Sequence, residues 1–123
     1  MSVSVAKRKK VFFSYTTRDE AINVVLMDRV NVLLSPFFDV FIDLIHNDSD
    51  EKQKRVIDEL KQSQYVVVLN TPSIDQSLWV KIEMEEAAKL NIPVFFVDLI
   101  RPTCGVDISD YIAQRVIQLV QSG

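Results

Sequence analysis

The segment Ser63–Ala87, SQYVVVLNTPSIDQSLWVKIEMEEA, contains the pattern that decides the fold. It begins with an apolar run of strand length, Tyr65–Leu69, in which hydrophobic residues do not alternate with polar ones. A continuous run of this kind indicates a strand buried on both faces, as in a parallel sheet covered by helices. A segment of helical length, Ile74–Leu90, follows after four polar or turn-forming residues. The stretch therefore predicts one strand-to-helix unit of an α/β domain.

The same alternation continues on both sides of this unit. Further apolar runs of strand length are Val11–Tyr15, Asp39–Leu44 and Pro93–Leu99. Segments with apolar residues at helical spacing, Asp19–Leu34 and Glu51–Gln62, lie between the runs. Strands that alternate with helices predict right-handed crossovers and a parallel sheet. We therefore expect a three-layer, flavodoxin-like α/β fold: a central parallel sheet of four to five strands, in the order 2-1-3-4-5, flanked by helices.

Polar residues ahead of two predicted helices have the spacing of a capping box. Thr17 stands three residues before Glu20, and Ser73 stands three residues before Gln76. In a capping box the hydroxyl accepts from a free amide of the first turn, and the later side chain reaches back to the cap. The pattern predicts helix starts at Thr17 and Ser73.

The C-terminal segment Asp107–Val120 has two interpretations. Its apolar residues fit one stripe of a single helix, but they also fit a short helix followed by a fifth strand, Arg115–Val120. The cluster of β-branched residues in that stretch favours the strand.

Length and charge restrict the domain organisation and the partners. The 123 residues suit one domain, with residues 1–9 as a basic N-terminal arm and residues 10–123 as the domain itself. The basic run Lys7–Lys10 is typical of a solvated arm. A formal net charge of −3 argues against a general nucleic-acid partner.

The scarcity of cysteine, histidine and glycine argues against several kinds of site. With one cysteine, Cys104, and one histidine, His46, we expect neither a disulfide nor a bound metal or resident cofactor. Two glycines cannot form a Gly-rich phosphate loop, and no nucleophile-elbow motif supports a Ser/His/Asp hydrolase. The longest apolar run, Ile92–Leu99, is too short to span a bilayer, and the polar, basic N-terminal stretch is not followed by an apolar run of the length expected for a signal peptide. These features predict a cytoplasmic protein without a membrane partner.

The candidate site with the clearest spacing is the pair Trp79 and Glu83. Four residues separate them, so they lie on one face of the predicted helix. Partial burial beside the ring would raise the pKa of the carboxyl group. Two interpretations stay open on spacing alone: a catalytic carboxylate, or a packed tryptophan with an ion-paired glutamate at the rim.

Read together, these segments resemble the TIR (Toll/interleukin-1 receptor) domain family. The stretch Val11–Glu20, VFFSYTTRDE, looks like the family's opening box, in which a strand ending in Ser-Tyr leads to an acidic helix start. The segment Ser63–Ala87 is similar to the second signature, a serine before the third strand followed by Ser-x-Trp-x-x-x-Glu. Ser77, Trp79 and Glu83 occupy its three named positions. The resemblance covers residues 10–99.

Several positions depart from the animal members of the family. The loop Leu44–Asp48 lacks their Arg-Asp-x-x-Pro-Gly box, Val80 replaces a common cysteine, and the C-terminal Phe-Trp box is missing. Asn70 stands where a serine is common. The departures favour a bacterial or archaeal TIR-like protein.

The resemblance implies an activity and a set of site residues. Many TIR domains cleave the bond between nicotinamide and ribose in NAD+, by hydrolysis or cyclisation, in defence or immune signalling. NAD+ is then the substrate and not a cofactor. The family's catalytic glutamate corresponds to Glu83, and the helix start at Thr16–Asp19 would meet the diphosphate. Substrate-binding positions by the same resemblance are Trp79, Ser14, Tyr15, Thr16, Asp43, Leu44, His46, Asn70 and Ser73.

Three alternatives remain beside this one. Many TIR domains act without catalysis by packing on other TIR domains, and Leu44-Ile45 after the second strand would suit such a contact. The two roles are compatible, because family members often assemble into homo-oligomers before they cleave. A nucleoside deoxyribosyltransferase-like enzyme would also use a glutamate, but a tryptophan before it argues against that class. A receiver or flavodoxin-like domain would have the same strand order, but this chain lacks the acidic pair after the first strand and the late lysine expected of that class.

Overall fold

The central element of the protein is a four-stranded parallel sheet. The computed structural model describes residues 9–19, 22–43, 52–99 and 107–122. The strands, in chain order, are β1 (Lys10–Ser14), β2 (Asp39–Phe41), β3 (Tyr65–Asn70) and β4 (Val94–Asp98). Their order in the sheet is β2-β1-β3-β4, and every neighbouring pair is parallel. This arrangement confirms the three-layer α/β fold with the first four strands in the predicted order.

Helices cover both faces of the sheet. They are α1 (Val24–Leu34), α2 (Lys52–Lys61), α3 (Leu78–Lys89) and α4 (Ile108–Ser122). Alternate residues of β1 enter two separate cores: Phe13 packs in the cluster that includes α1 and α4, and Phe12 in the cluster that includes α2 and α3. Both phenylalanines are fully buried. The apolar runs of β1 and β3 therefore reflect burial on both faces, as the sequence indicated, whereas β4 at the edge of the sheet leaves Phe96 exposed.

The C-terminal segment is one helix, so the preference for a fifth strand at Arg115–Val120 was wrong. Within α4, Ile112, Val116 and Val120 recur at four-residue steps and are all buried in the core that α1 shares. The β-branched residues pack on the buried face of this helix, because packing against α1 outweighs their modest preference for strands.

The start of α1 also differs from the prediction. Asn23, not Thr17, caps the helix: its side-chain oxygen accepts from the Leu26 amide at 3.0 Å. Ile22 before the cap and Met27 in the first turn lie in the same buried cluster, which is the arrangement of a hydrophobic staple. Residues 16–19 are consequently not a helix start, so the diphosphate contact predicted there would not have the amides of a helix N-terminus.

Within the described ranges, no helix is long and apolar enough to cross a membrane. The same ranges contain no group of three or more potential metal-ligating side chains.

Candidate functional site

A cavity of about 270 Å³ lies beyond the carboxyl ends of β1 and β2, beside the start of α3. This edge is where parallel α/β sheets place their ligand sites. Its described lining residues are Phe13, Tyr15, Thr16, Thr17, Asp43, Ser77, Trp79 and Glu83. Two carboxyl groups and two aromatic rings that the sequence singled out thus share one small space.

The local sequence before α3 sets the position of its functional face. A short 3₁₀ turn, Ile74–Gln76, precedes the helix, and Ser77 is the cap. The Ser77 hydroxyl oxygen accepts from the Val80 amide at 3.2 Å. The predicted cap at Ser73 was wrong. With the helix starting after Ser77, Trp79 lies in its first turn, and Glu83 follows one turn later on the same face.

Glu83 is buried and held by a hydrogen bond from another element. Only 4% of the residue is exposed, and the Ser14 hydroxyl at the end of β1 donates to Glu83 Oε1 at 2.7 Å. The pKa of the Glu83 carboxyl is raised to about 7, chiefly because burial disfavours its charged form; the Ser14 hydrogen bond lowers the pKa in part, and the negative charge of Asp43 adds to the rise. The site therefore contains a carboxyl group whose charge changes near neutral pH.

Trp79 connects the cavity with a second depression. The half-buried tryptophan packs against the core beneath α2 and α3 and lines the site beside Glu83. It also lines a groove of about 530 Å³ between α2 and α3, together with Ile57, Ile82 and Glu86. The indole is therefore part of the wall between the site and the outer surface of the two helices.

The structure brings most of the sequence-predicted site residues together. Tyr15, Thr16, Asp43, Trp79 and Glu83 line one cavity. Ser14 joins them through its bond to Glu83. The predicted positions Leu44 and His46 lie outside the described residues.

Two of the predicted binding residues, Asn70 and Ser73, make hydrogen bonds within the protein. The Asn70 carbonyl oxygen accepts from the Leu99 amide at 2.8 Å, as part of the register between β3 and β4. Ser73 donates to Asp19 through its amide at 3.2 Å and its hydroxyl at 3.0 Å. Neither residue lines the cavity. The Asp19 contacts tie the loop after β1 to the loop after β3, which borders the site.

Three lining residues were not among the individually predicted substrate-binding positions: Phe13, Thr17 and Ser77. Thr17 is the second residue after the predicted strand end, so its position at the sheet edge was an available signal. Ser77 was noticed only as part of the Ser-x-Trp pattern. Its dual position, as helix cap and cavity wall, depends on where α3 starts.

A comparison with protein families gives this geometry a context. Residues 12–101 match the model of the TIR-like domain of the Thoeris protein ThsB. The chain belongs to this family. The match includes the last three residues of β1, all of β2 to β4 and α1 to α3, and every described residue that lines the cavity. This TIR-like domain is thus of a defence-associated type, in agreement with the bacterial TIR-like resemblance. No curated protein matches the chain.

Proposed function

We propose that this TIR-like domain cleaves the bond between nicotinamide and ribose in NAD+ as part of defence signalling. The observation that carries the proposal is the buried Glu83 carboxyl, which faces a cavity at the carboxyl edge of the sheet with Asp43 and Trp79. The charges suit this substrate, because the reacting end of NAD+ is a cationic pyridinium riboside.

Cleavage of this bond does not require the protein to protonate the leaving group. When the glycosidic C–N bond breaks, its electron pair goes to the pyridinium nitrogen, and nicotinamide leaves as a neutral molecule. No general acid is needed, in contrast to glycosides whose leaving group is an oxygen. Positive charge develops on the ribose, and the Glu83 carboxylate would stabilise it. Water then adds to the anomeric carbon and releases a proton, or a hydroxyl or ring nitrogen of the same molecule adds and gives a cyclic product.

The cavity suits one half of the dinucleotide. At about 270 Å³, it is smaller than the sites of roughly 300–1,000 Å³ that enclose drug-sized ligands. Trp79 and Tyr15 offer aromatic surfaces to the nicotinamide ring. Among the described lining residues there is no lysine or arginine to meet a diphosphate. We therefore place the nicotinamide riboside half inside and the diphosphate and adenosine outside.

The test is to incubate the purified protein at high concentration with NAD+ and separate the products by chromatography. Release of nicotinamide, absent with Glu83→Ala, is the expected result. Nicotinamide release that persists with Glu83→Ala would contradict the assignment of Glu83. No release by an assembled, folded wild-type protein would contradict the enzymatic proposal. Exchange of bases on a deoxynucleoside in parallel samples would instead favour the deoxyribosyltransferase alternative.

The pH dependence should report the charge of Glu83. Because the working form is the anion, kcat/KM is expected to rise with pH through about 7, the pKa of Glu83, and then level off. Ser14→Ala removes the hydrogen bond that lowers this pKa, so the rise should move to higher pH. Ser63→Ala is the matched control, since Ser63 is also buried but donates to the Glu59 carbonyl oxygen. Identical profiles for wild type and Ser14→Ala would contradict this role of Ser14.

A second candidate function is association with other TIR domains without catalysis. It is favoured by the apolar outer surface of α1, where valines are exposed to solvent. Light scattering that shows concentration-dependent assembly, combined with no NAD+ turnover by the assembled protein, would support this function over the enzymatic one.

A further inference from the structure

A groove of about 530 Å³ lies between α2 and α3, directly beside the candidate active site. Trp79 lines both depressions and forms part of the wall between them. The other described residues that line the groove are Gln53, Lys54, Ile57, Asp58, Lys61, Ile82 and Glu86. The reacting groups proposed above all lie in the cavity, so bond cleavage by itself does not account for the groove.

The two depressions differ in charge. The cavity contains two carboxyl groups, Asp43 and Glu83, and no lysine or arginine among its described lining residues. The groove contains two lysines, Lys54 and Lys61, and both are exposed. A molecule with one cationic end and one anionic end would therefore be matched by the cavity at the first end and by the groove at the second.

The residues along the groove follow a definite order from the cavity outward. The last turns of α2 and α3 lie at the amino edge of the sheet, because β3 and β4 begin shortly after them. The first turns, with Lys54 and Trp79, therefore lie at the carboxyl edge beside the cavity. Ile57 and Ile82, both half-buried, come about 4.5 Å further along their helices. Lys61 lies about 6 Å beyond Ile57, at the far end.

We propose that this groove binds the adenosine diphosphate half of NAD+ while the cavity holds the nicotinamide riboside half, an inference that rests on the proposed function for its substrate. In NAD+ the diphosphate is joined to the nicotinamide riboside, and the adenosine follows the diphosphate. The groove presents matching groups in the same order. The Lys54 ammonium next to the cavity would meet the diphosphate, and the apolar surfaces of Ile57 and Ile82 would pack against the purine.

The carboxylates of the groove are compatible with this ligand. Asp58 follows Ile57 on α2, where it can accept hydrogen bonds from the hydroxyl groups of the adenosine ribose. Glu86 pairs with Lys89 on its own helix at 3.5 Å, and we assign it no contact with the ligand. With that pair set aside, the groove has two lysines and one carboxylate, which favours an anionic ligand.

The first test measures binding without turnover. Trp79 is the only tryptophan of the chain, so its fluorescence reports ligands at the wall that it forms. ADP lacks the nicotinamide riboside and cannot react, and titration of ADP into the wild-type protein should change the emission saturably. Ile57→Glu should raise the dissociation constant of ADP by at least roughly tenfold, because it removes apolar surface and places a negative charge near the diphosphate.

The matched control is Val32→Glu, which adds the same charge at an exposed position of α1, on the opposite face of the sheet. Circular dichroism checks the folding of both variants, and Ile57 is not one of the buried residues of either core. We expect Val32→Glu to bind ADP like the wild type. No response of the wild type to ADP, or equal ADP binding by Ile57→Glu, would overturn the proposal.

Kinetics with two substrates separate this inference from the proposed function. Nicotinamide mononucleotide lacks the adenosine, so Ile57→Asn should raise the KM for NAD+ several-fold and leave nicotinamide release from the mononucleotide unchanged. Release from NAD+ with an unaltered KM in Ile57→Asn would keep the proposed function and overturn the groove assignment. ADP binding that is lost in Ile57→Glu, without any release of nicotinamide by the wild type, would keep the groove as a site for adenosine diphosphate and remove the proposed function.

Discussion

Glu83→Gln is expected to reduce the rate of NAD+ cleavage by roughly 100- to 1,000-fold, the usual effect of removing one preorganised electrostatic group from an active site. Glutamine keeps the size of the side chain and an oxygen that can accept from the Ser14 hydroxyl. The substitution removes only the negative charge. Because positive charge on the ribose grows as the C–N bond breaks, kcat should fall far more than KM changes. Initial rates of nicotinamide release over a range of NAD+ concentrations measure both constants.

Glu86→Gln is the matched control for this prediction. Glu86 lies less than one turn beyond Glu83 on α3, but it borders the groove between α2 and α3 and pairs with Lys89 at 3.5 Å. Neutralising it changes the net charge of the domain by the same amount without altering the cavity. We expect turnover like that of the wild type. Equal losses in the two variants would show that the overall negative charge of α3 matters rather than a carboxylate at the reacting centre.

The sheet could be predicted from sequence because its signal is local. The runs that became β1 and β3 were located within one residue at each end, since unbroken apolar stretches of five or six residues have few other uses. The predicted second strand, Asp39–Leu44, was too long: β2 ends at Phe41. Ile42 beyond it is fully buried without belonging to the strand, so hydrophobicity alone did not mark the end.

Helix starts were less predictable, because polar residues that can cap a helix occur at several nearby positions. Thr17 and Asn23 both precede α1, and Ser73 and Ser77 both precede α3. In each case the later residue is the cap. A buried isoleucine lies between the two possible caps in each case: Ile22 between Thr17 and Asn23, and Ile74 between Ser73 and Ser77. These isoleucines determine where each segment enters the core. That choice depends on tertiary packing and is not contained in the capping pattern.

The candidate site shows the same limit at longer range. The motif around Trp79 and Glu83 could be recognised in the sequence, because its residues share one helix face. The hydrogen bond between the side chains of Ser14 and Glu83 joins residues 69 positions apart in the sequence. No local pattern encodes that contact or the burial that raises the pKa of Glu83. Asn70 and Ser73 were predicted from the resemblance, but neither lines the cavity: the Asn70 carbonyl oxygen accepts from Leu99, and Ser73 donates to Asp19.

The burial of Glu83 should also make the wild-type protein less stable than a charge-free variant at alkaline pH. The pKa of this carboxyl is raised from 4.5 to about 7 in the folded chain, so the folded state binds the proton more tightly than the unfolded state. This preference stabilises the fold fully below pH 4.5 and is lost as pH rises through about 7. At pH 8 the loss amounts to about 3 kcal/mol, since each pKa unit corresponds to roughly 1.4 kcal/mol.

Glu83→Gln should therefore increase the free energy of unfolding by about 3 kcal/mol at pH 8 and change it little near pH 4.5. Glutamine resembles the protonated carboxyl in shape, so little packing is lost when the charge is removed. Urea denaturation of both proteins at each pH measures the difference, and other titrating groups cancel in the comparison. Glu86→Gln, at a partly exposed position, should show no such gain.

A residue that is retained only for the fold would not destabilise it, so a gain in stability together with lost turnover would identify Glu83 as a group kept for chemistry. Equal stabilities at pH 8 would instead mean that the carboxylate is solvated or paired in the folded protein.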